Sequence, residues 1–363
     1  MPRPLSSDRL LFGSTLVLVL FGVLMVFSAS AMMAESRFGS GYYFLSRQLI
    51  WAALGLLVLV GFMHSNYKRL RHPAVVFPAF FLQLALLMAV LLWDDSQTIR
   101  RWLPLGKFFL QPSELSKIIL VIFLAYFLEK RQGRINDLSH TLLPVGFLTG
   151  VTVLLVLQEP DLGTAVLLVL TASAMLFAAG MRVIYFGYLF LASLIPLYFL
   201  VVQVPYRYDR ILAFLNPYSD PLGRGFQIIQ SLTAVGSGGI NGLGFMEGRQ
   251  KLFYLPAAHT DFVFAVVGEE LGFIGCLVVL ALFGVILWRG IRASLKCRDE
   301  FGRLLALGLT ALIIIQVLVN VSVVVGIVPT KGLPLPLVSY GGSSLVSNMM
   351  GLGILMNISQ QSD

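Results

Sequence analysis

The sequence predicts an all-α polytopic membrane protein. Three observations carry that reading. Hydrophobic residues make up 57% of the 363-residue chain and charged residues only 12%, about half the ~25% charged content of soluble domains. Apolar runs near the ~20 residues needed to cross a bilayer recur from end to end. The short alternating segments of a membrane β-barrel are missing.

About ten spans are expected, over residues 9–31, 45–63, 74–93, 112–129, 141–158, 162–180, 183–203, 262–289, 301–326 and 340–359. The first run is too long for a signal-peptide core and reads as a retained helix. Orientation follows from the short loops. One set carries Arg3, Arg9, Lys68, Arg69, Arg71, Lys130, Arg131, Arg134, Arg182, Arg289, Arg292, Lys296, Arg298 and Arg303. The opposite set carries only Arg37, Arg47, Arg100, Arg101, Lys107 and Lys331. The richer set is cytoplasmic by the positive-inside rule. Both termini are then cytoplasmic, and one large extracytoplasmic loop, residues 204–261, joins helices 7 and 8. The net charge of +8 thus reflects topology, not a nucleic-acid footprint. The whole chain, 1–363, reads as one transmembrane domain that includes this loop.

Within the loop, 211–215 and 226–235 have short helix-like patterns, and 216–220 and 236–244 are rich in turn residues. Amphipathic pieces lying on the outer membrane surface are expected there. Of the two cysteines, Cys276 falls in an apolar span and Cys297 in a basic loop. Neither suggests a disulfide, and no Cys/His spacing resembles a zinc site.

The candidate chemistry gathers at the outer face. In 254–272, YLPAAHTDFVFAVVGEELG, a polar run ends at Asp261 and an apolar helix starts on the next residue. Asp261 is either a helix N-cap or a carboxylate kept at the membrane edge for chemistry. Glu269 and Glu270, two turns deeper, suit a structural role. Glu114 and Lys117 lie three apart on one helix face. They form either a mutually neutralising ion pair or the polar wall of a cavity. Asp161 opens the sixth span after Gln158, Glu159 and Pro160, again as cap or site residue. Lys331 lies in 329–344, which is too broken by Pro and Gly to be a plain helix. Gln316 and Asn320, four apart on span nine, suit interhelical hydrogen bonds.

No nucleotide-binding motif occurs in the cytoplasmic loops, so a reaction at the outer face needs a substrate that carries its own activation. Acids and cations at one mouth suit a lipid-linked phosphate or pyrophosphate. Glycosyl transfer from a pyrophosphate needs one base for the acceptor hydroxyl and positive charge on the leaving oxygens. Glycoside hydrolysis usually needs two carboxylates. A secondary transporter could use similar charges.

At these motifs the chain resembles the SEDS family of cell-wall polymerases (shape, elongation, division and sporulation). The matching pieces are RRWLPLG with QPSELSK, QEPDLGTA, FLNPYSDPLGRGFQIIQSLTAVGSGG, RQKLFYLPAAHTDFVFAVVGEELG and GIVPTKGLPLPLVSYGGSS. The last resembles the division branch more than the elongation branch. The resemblance implies ten helices and a peptidoglycan glycosyltransferase that polymerises lipid II, the undecaprenyl-pyrophosphate-linked disaccharide peptide, in the bacterial cytoplasmic membrane at the division septum. The family's essential Asp falls on Asp261, as general base, and its polar cavity residues on Glu114, Lys117 and Asp161. Charge and position add Lys251, Lys331, Arg249 and Arg210 as pyrophosphate contacts. A divalent cation, Mg or Mn, is another source of that positive charge. The implied partners are a class B penicillin-binding protein transpeptidase and other division or elongation proteins. A lipid II flippase and a non-catalytic scaffold for the transpeptidase are the competing readings.

Overall fold

The computed structural model describes residues 8–93, 101–105, 108–252 and 254–362. Arg3, Arg100 and Lys107, used above for orientation, lie outside the described residues, as do Gly106 and Phe253 of the matching motifs.

Ten long helices follow the ten apolar runs: α1 (Arg9–Phe38), α2 (Tyr43–His64), α3 (Pro73–Trp93), α4 (Pro112–Glu129), α5 (Leu143–Gln158), α6 (Leu162–Ala178), α7 (Val183–Val202), α10 (Val263–Lys296), α11 (Glu300–Val324) and α12 (Gly342–Ser362). Between α7 and α10 lie two short helices, α8 (Pro205–Leu215) and α9 (Phe226–Ser237), at the two stretches where amphipathic pieces are expected. Among the described residues, seven helices are long and apolar enough to cross a membrane, so the chain is a multi-pass membrane protein. The other three long helices have visible reasons to fall short. Helix α4 carries Glu114, Lys117 and Glu129, α6 has 17 residues, and α12 is rich in Ser, Asn and Gln.

A small hairpin departs from the all-α expectation. Strands β1 (Leu103–Leu105) and β2 (Phe108–Leu110) pair antiparallel, with Leu103 opposite Leu110. Pro112 then starts α4, since proline's missing N–H costs nothing at a first helical position. The hydroxyl of Ser343 ties this hairpin to the start of α12. It accepts from the Gln111 N–H at 3.1 Å and donates to the Phe109 carbonyl at 3.2 Å.

Helices α4, α6, α11 and α12 form the centre, and α12 also packs along α2 and α10. Helix α7 lies at the periphery and turns Tyr188, Phe190 and Ile195 outward, which suits contact with lipid. The connection from α11 to α12 is non-helical yet buried at Leu333, Leu335, Leu337 and Val338. Pro329, Pro334 and Pro336 explain this, because each removes a backbone donor and blocks helix continuation.

Helix α1 crosses this connection at Gly22. A Cβ there would stand 2.6 Å from the Leu337 carbonyl oxygen and 2.7 Å from the Val338 Cα. Backbone cannot yield as a side chain can, so Gly22→Ala should cost about 1–3 kcal/mol, the range for overpacking. Thermal unfolding of the purified protein in detergent checks this, and an unchanged midpoint would show that α1 shifts freely.

Helix α10 is broken. At Gly272 the backbone takes φ 64° and ψ −162°, a conformation essentially confined to glycine. The stretch 239–244, from the segment between α9 and α10, fills the break. The N–H groups of Leu243 and Gly244 donate to the carbonyls of Glu269 and Glu270, both at 3.0 Å. The N–H groups of Phe273 and Ile274 donate to the carbonyls of Gly239 and Ile240, at 2.9 and 3.2 Å. Nothing in the apolar run of this span announces the break except the glycine itself.

Candidate active site

Asp261 sits on a tight turn at the head of α10. The N–H groups of Thr260, Asp261 and Phe262 all donate to the Ala257 carbonyl, at 3.1–3.3 Å. The residue preceding Val263 is Phe262, and no side chain caps the helix. Among the described residues, the Asp261 carboxylate accepts no hydrogen bond. This rules out capping for Asp261. Asp161 is the opposite case: it caps α6, accepting from the Thr164 N–H at 3.0 Å and the Thr164 hydroxyl at 2.9 Å.

The charges acting on Asp261 come from other elements. Burial pushes its carboxyl up to about 6, Arg210 and Arg101 pull the other way, and Asp161 adds to the rise. Arg210, on α8, donates to the Thr330 carbonyl at 2.8 Å. Arg101 donates to the carbonyls of Glu159 and Pro160, at 3.0 and 2.5 Å. Gly332 stands against the carboxylate, where a Cβ would lie 3.2 Å from Oδ2. The neighbouring Lys331 is half-buried and, among the described residues, unpaired; burial lowers its pKa. His259 shares the turn, but burial, helped by Arg37, lowers it to about 4. Asp261 is therefore the stronger base of the two.

The backbone of the turn is held from α11. The Asn320 amide donates to the carbonyls of Asp261 and Leu333, at 2.8 and 2.7 Å. One turn away, the Gln316 amide donates to the Pro334 carbonyl at 2.7 Å, and its oxygen accepts from Lys117 at 3.0 Å. Lys117 pairs with Glu114 at 2.7 Å, and both are almost wholly buried. The expectation of interhelical hydrogen bonds holds for Gln316, which joins α11 to Lys117 of α4. The amide N–H groups of Gln316 and Asn320 also pin two non-helical segments, because those segments have carbonyls that no helix satisfies.

Sequence reasoning missed Arg101 and Glu159. Glu159 is fully buried, and among the described residues neither carboxylate oxygen has a donor in good hydrogen-bond geometry. Burial pushes it up to about 8; Asp161 adds to the rise, while Ser113 and Arg101 oppose it. A neutral Glu159 leaves the charge of Arg101 available to the site. The signal for Glu159 was its place beside Asp161 in QEPD. The signal for Arg101 was its place in the RRWLPLG motif.

The structure thus brings Asp161, Arg210 and Arg101 within electrostatic reach of Asp261, places Lys331 beside Gly332, which abuts the carboxylate, and joins Glu114 and Lys117 to Gln316. It places Lys251 and Arg249 elsewhere. Lys251 is buried against Glu270 at 2.6 Å and Ser28 at 2.9 Å, so its charge is already matched. Arg249 is exposed, and its backbone N–H donates to Glu269 at 2.7 Å.

Residues 8–363 match the sequence model of a family described as cell cycle protein, FTSW_RODA_SPOVE. The chain belongs to the FtsW/RodA/SpoVE family. It is 46% identical over 355 residues to a protein of Geobacter sulfurreducens named Probable peptidoglycan glycosyltransferase FtsW, covering 97% of this chain and 95% of that one. It is 42% identical to the Stage V sporulation protein E of Bacillus subtilis, over 98% of both chains. Among solved structures, it superposes with a TM-score of 0.80 and 33% identity on a chain from a peptidoglycan synthase complex that coordinates polymerization and crosslinking, covering 98% of both chains. It superposes with a TM-score of 0.72 and 29% identity on the Rod shape determining protein RodA of Thermus thermophilus, over 99% of both. The family fold thus spans nearly the whole chain.

Proposed function

We propose that this chain is a peptidoglycan glycosyltransferase that polymerises lipid II at the outer face of the cytoplasmic membrane, for septal wall synthesis. The observation that carries this is Asp261, a half-buried carboxylate that accepts no hydrogen bond among the described residues and feels the charges of Arg210 and Arg101. In this reading all ten long helices span, both termini are cytoplasmic, and residues 204–261 lie outside within a single domain.

Asp261 takes the proton of the GlcNAc 4-hydroxyl of the acceptor. The oxygen attacks the MurNAc anomeric carbon of the donor strand, the glycosidic bond forms with inversion, and the C1–O bond breaks to release undecaprenyl pyrophosphate. A base near pKa 6 remains ionised at neutral pH and is stronger than an ordinary aspartate, which suits general-base work. Arg210, Arg101 and Lys331 offer positive charge to the departing pyrophosphate. Among the described residues no three His, Cys, Asp or Glu side chains form a ready-made cation cage. Asp261 and Asp161 lie close enough to feel one another's charge. Asp261 and Asp161 are the carboxylates that would hold a divalent cation such as Mg or Mn, and such an ion would supply positive charge to the leaving group.

The partner implied is a class B penicillin-binding protein, since a structural neighbour belongs to a synthase complex that also crosslinks. Purified chain with that partner should make glycan strands from purified lipid II. The turnover should rise with pH through an inflection near 6, because the base must be ionised. A rate flat from pH 5 to 8 would remove Asp261 from proton transfer. Lipid II translocation without polymerisation would instead favour the flippase.

A further inference from the structure

The break at Gly272 divides α10 into two parts with different neighbours. The nine residues from Val263 to Leu271 form a short arm, and Asp261 stands just ahead of it. The helix beyond the break belongs to the bundle and runs to Lys296. No intrahelical ladder carries across Gly272, so the arm's position must be set by what grips it.

Two side chains near the break supply that grip. Glu270 is completely buried and gathers donors from two other elements. The Ser28 hydroxyl of α1 reaches its oxygens at 2.6 and 2.8 Å, Lys251 Nζ at 2.6 Å and the Met246 N–H at 3.0 Å. Glu269 accepts from the N–H groups of Arg249 and Gln250, at 2.7 and 3.1 Å. The outer loop and α1 thus close on the lower end of the arm through a buried ion pair. A cavity of about 310 Å³, lined by Ser28, Met32, Met246, Arg249, Lys251 and Leu252 among others, flanks this latch and gives the loop room to shift.

We propose that Glu270, Glu269 and Lys251 are positioning residues for Asp261, a latch that fixes the broken-off arm of α10 and thereby aims the base at the acceptor hydroxyl. The geometry favours this over packing alone. A buried charge pair is rarely a better stabiliser than apolar side chains of similar volume, and this one sits where the helix has lost its own continuity. The proposal rests on the reading of Asp261 as base.

The test uses the full chain with its class B partner and lipid II, comparing wild type, Glu270→Gln and the charge-free double variant Lys251→Met/Glu270→Gln. The double variant keeps the test alive if the single one fails to fold. Four quantities are read: kcat, KM, the pH inflection of kcat, and amide hydrogen exchange of 254–262. The expected result is a kcat at least ten-fold lower with KM within two-fold. The inflection near pH 6 should move by half a unit or more, as the carboxylate shifts relative to Arg210, Arg101, Asp161 and Lys331. Exchange in 254–262 should quicken. An unmoved inflection with unchanged exchange would overturn the proposal, whether or not kcat falls, since a merely structural role would lower the melting point and leave both alone. If instead the wild-type rate shows no inflection near 6, the base reading fails. Hydrogen exchange then still decides whether the latch holds the arm.

Discussion

Asp261→Asn is expected to abolish strand synthesis and, above neutral pH, to make the fold more stable. Asparagine has nearly the same shape but cannot accept the acceptor's proton. Loss of a general base costs about 10²–10⁴-fold, so the turnover should fall at least 100-fold. Stability moves the other way. Burial raises the folded-state pKa of Asp261 from 3.8 to about 6, so the native state binds the proton more tightly than the unfolded chain does. The protein escapes the cost of the buried charge below about pH 4. That advantage is lost as pH rises through 6, where the native carboxylate ionises. A shift of about two units corresponds to roughly 3 kcal/mol at pH 8, at 1.36 kcal/mol per unit. Asparagine removes that cost. Chemical or thermal unfolding in detergent should therefore show Asp261→Asn about 2–3 kcal/mol more stable than wild type at pH 8 and equal to it at pH 4. An inactive variant with no gain at pH 8 would mean that Arg210 and Arg101 already compensate the charge in full. An active variant would send the search for the base to Asp161 and Glu114.

The helices were legible because each is announced by its own apolar run, and a span is a local property of about twenty residues. The short helices α8 and α9 between α7 and α10 were legible for the same reason. What the residues alone left open was decided by contacts between distant segments. Asp161 and Asp261 both read as capping candidates, each just ahead of an apolar helix. Only the fold shows that Asp161 satisfies the Thr164 N–H, whereas the Asp261 carboxylate accepts no hydrogen bond among the described residues. Lys251 and Arg249 looked like pyrophosphate ligands because they precede Asp261 in the chain. The loop instead folds back so that Lys251 meets Glu270 and Ser28, and sequence proximity to Asp261 brought no proximity to its charges. Glu269 and Glu270 suited structure at the outset, and their bonds to the loop bear that out. Gln316 and Asn320 stood out as two amides in an apolar helix, but their partners, the carbonyls of Asp261, Leu333 and Pro334, become available only when the proline-broken connection lies beside α11. The break in α10 was invisible for a related reason: a glycine in a membrane helix is common, and its conformation here depends on the bonds that the 239–244 stretch makes to residues 269–274.

Lys117→Met should separate the two roles that the Glu114–Lys117 pair can play. Removing the ammonium leaves the Glu114 carboxylate buried with no cation, and the Gln316 oxygen loses its donor. Breaking a buried pair on one side costs about 3–5 kcal/mol, whereas replacing both charges is often neutral. The single variant should therefore be clearly destabilised, and Lys117→Met/Glu114→Gln should recover most of the loss. Activity is the discriminating readout. If the pair only makes α4 tolerable in a membrane, the double variant polymerises lipid II at a rate near wild type. The geometry predicts otherwise. Lys117 holds Gln316, Gln316 holds the Pro334 carbonyl, and Asn320 one turn along the same helix holds the backbone carbonyls of Leu333 and Asp261, so the ammonium helps to fix the segment that packs beside the base. Methionine donates to nothing, and the 333–334 carbonyls and the turn of Asp261 lose part of their anchorage even in a fully folded protein. The expected outcome is a double variant with near-wild-type unfolding midpoint and polymerisation reduced at least ten-fold. Recovery of both stability and activity would confine Lys117 to charge neutralisation and leave the site to Asp261, Arg210 and the 329–334 segment.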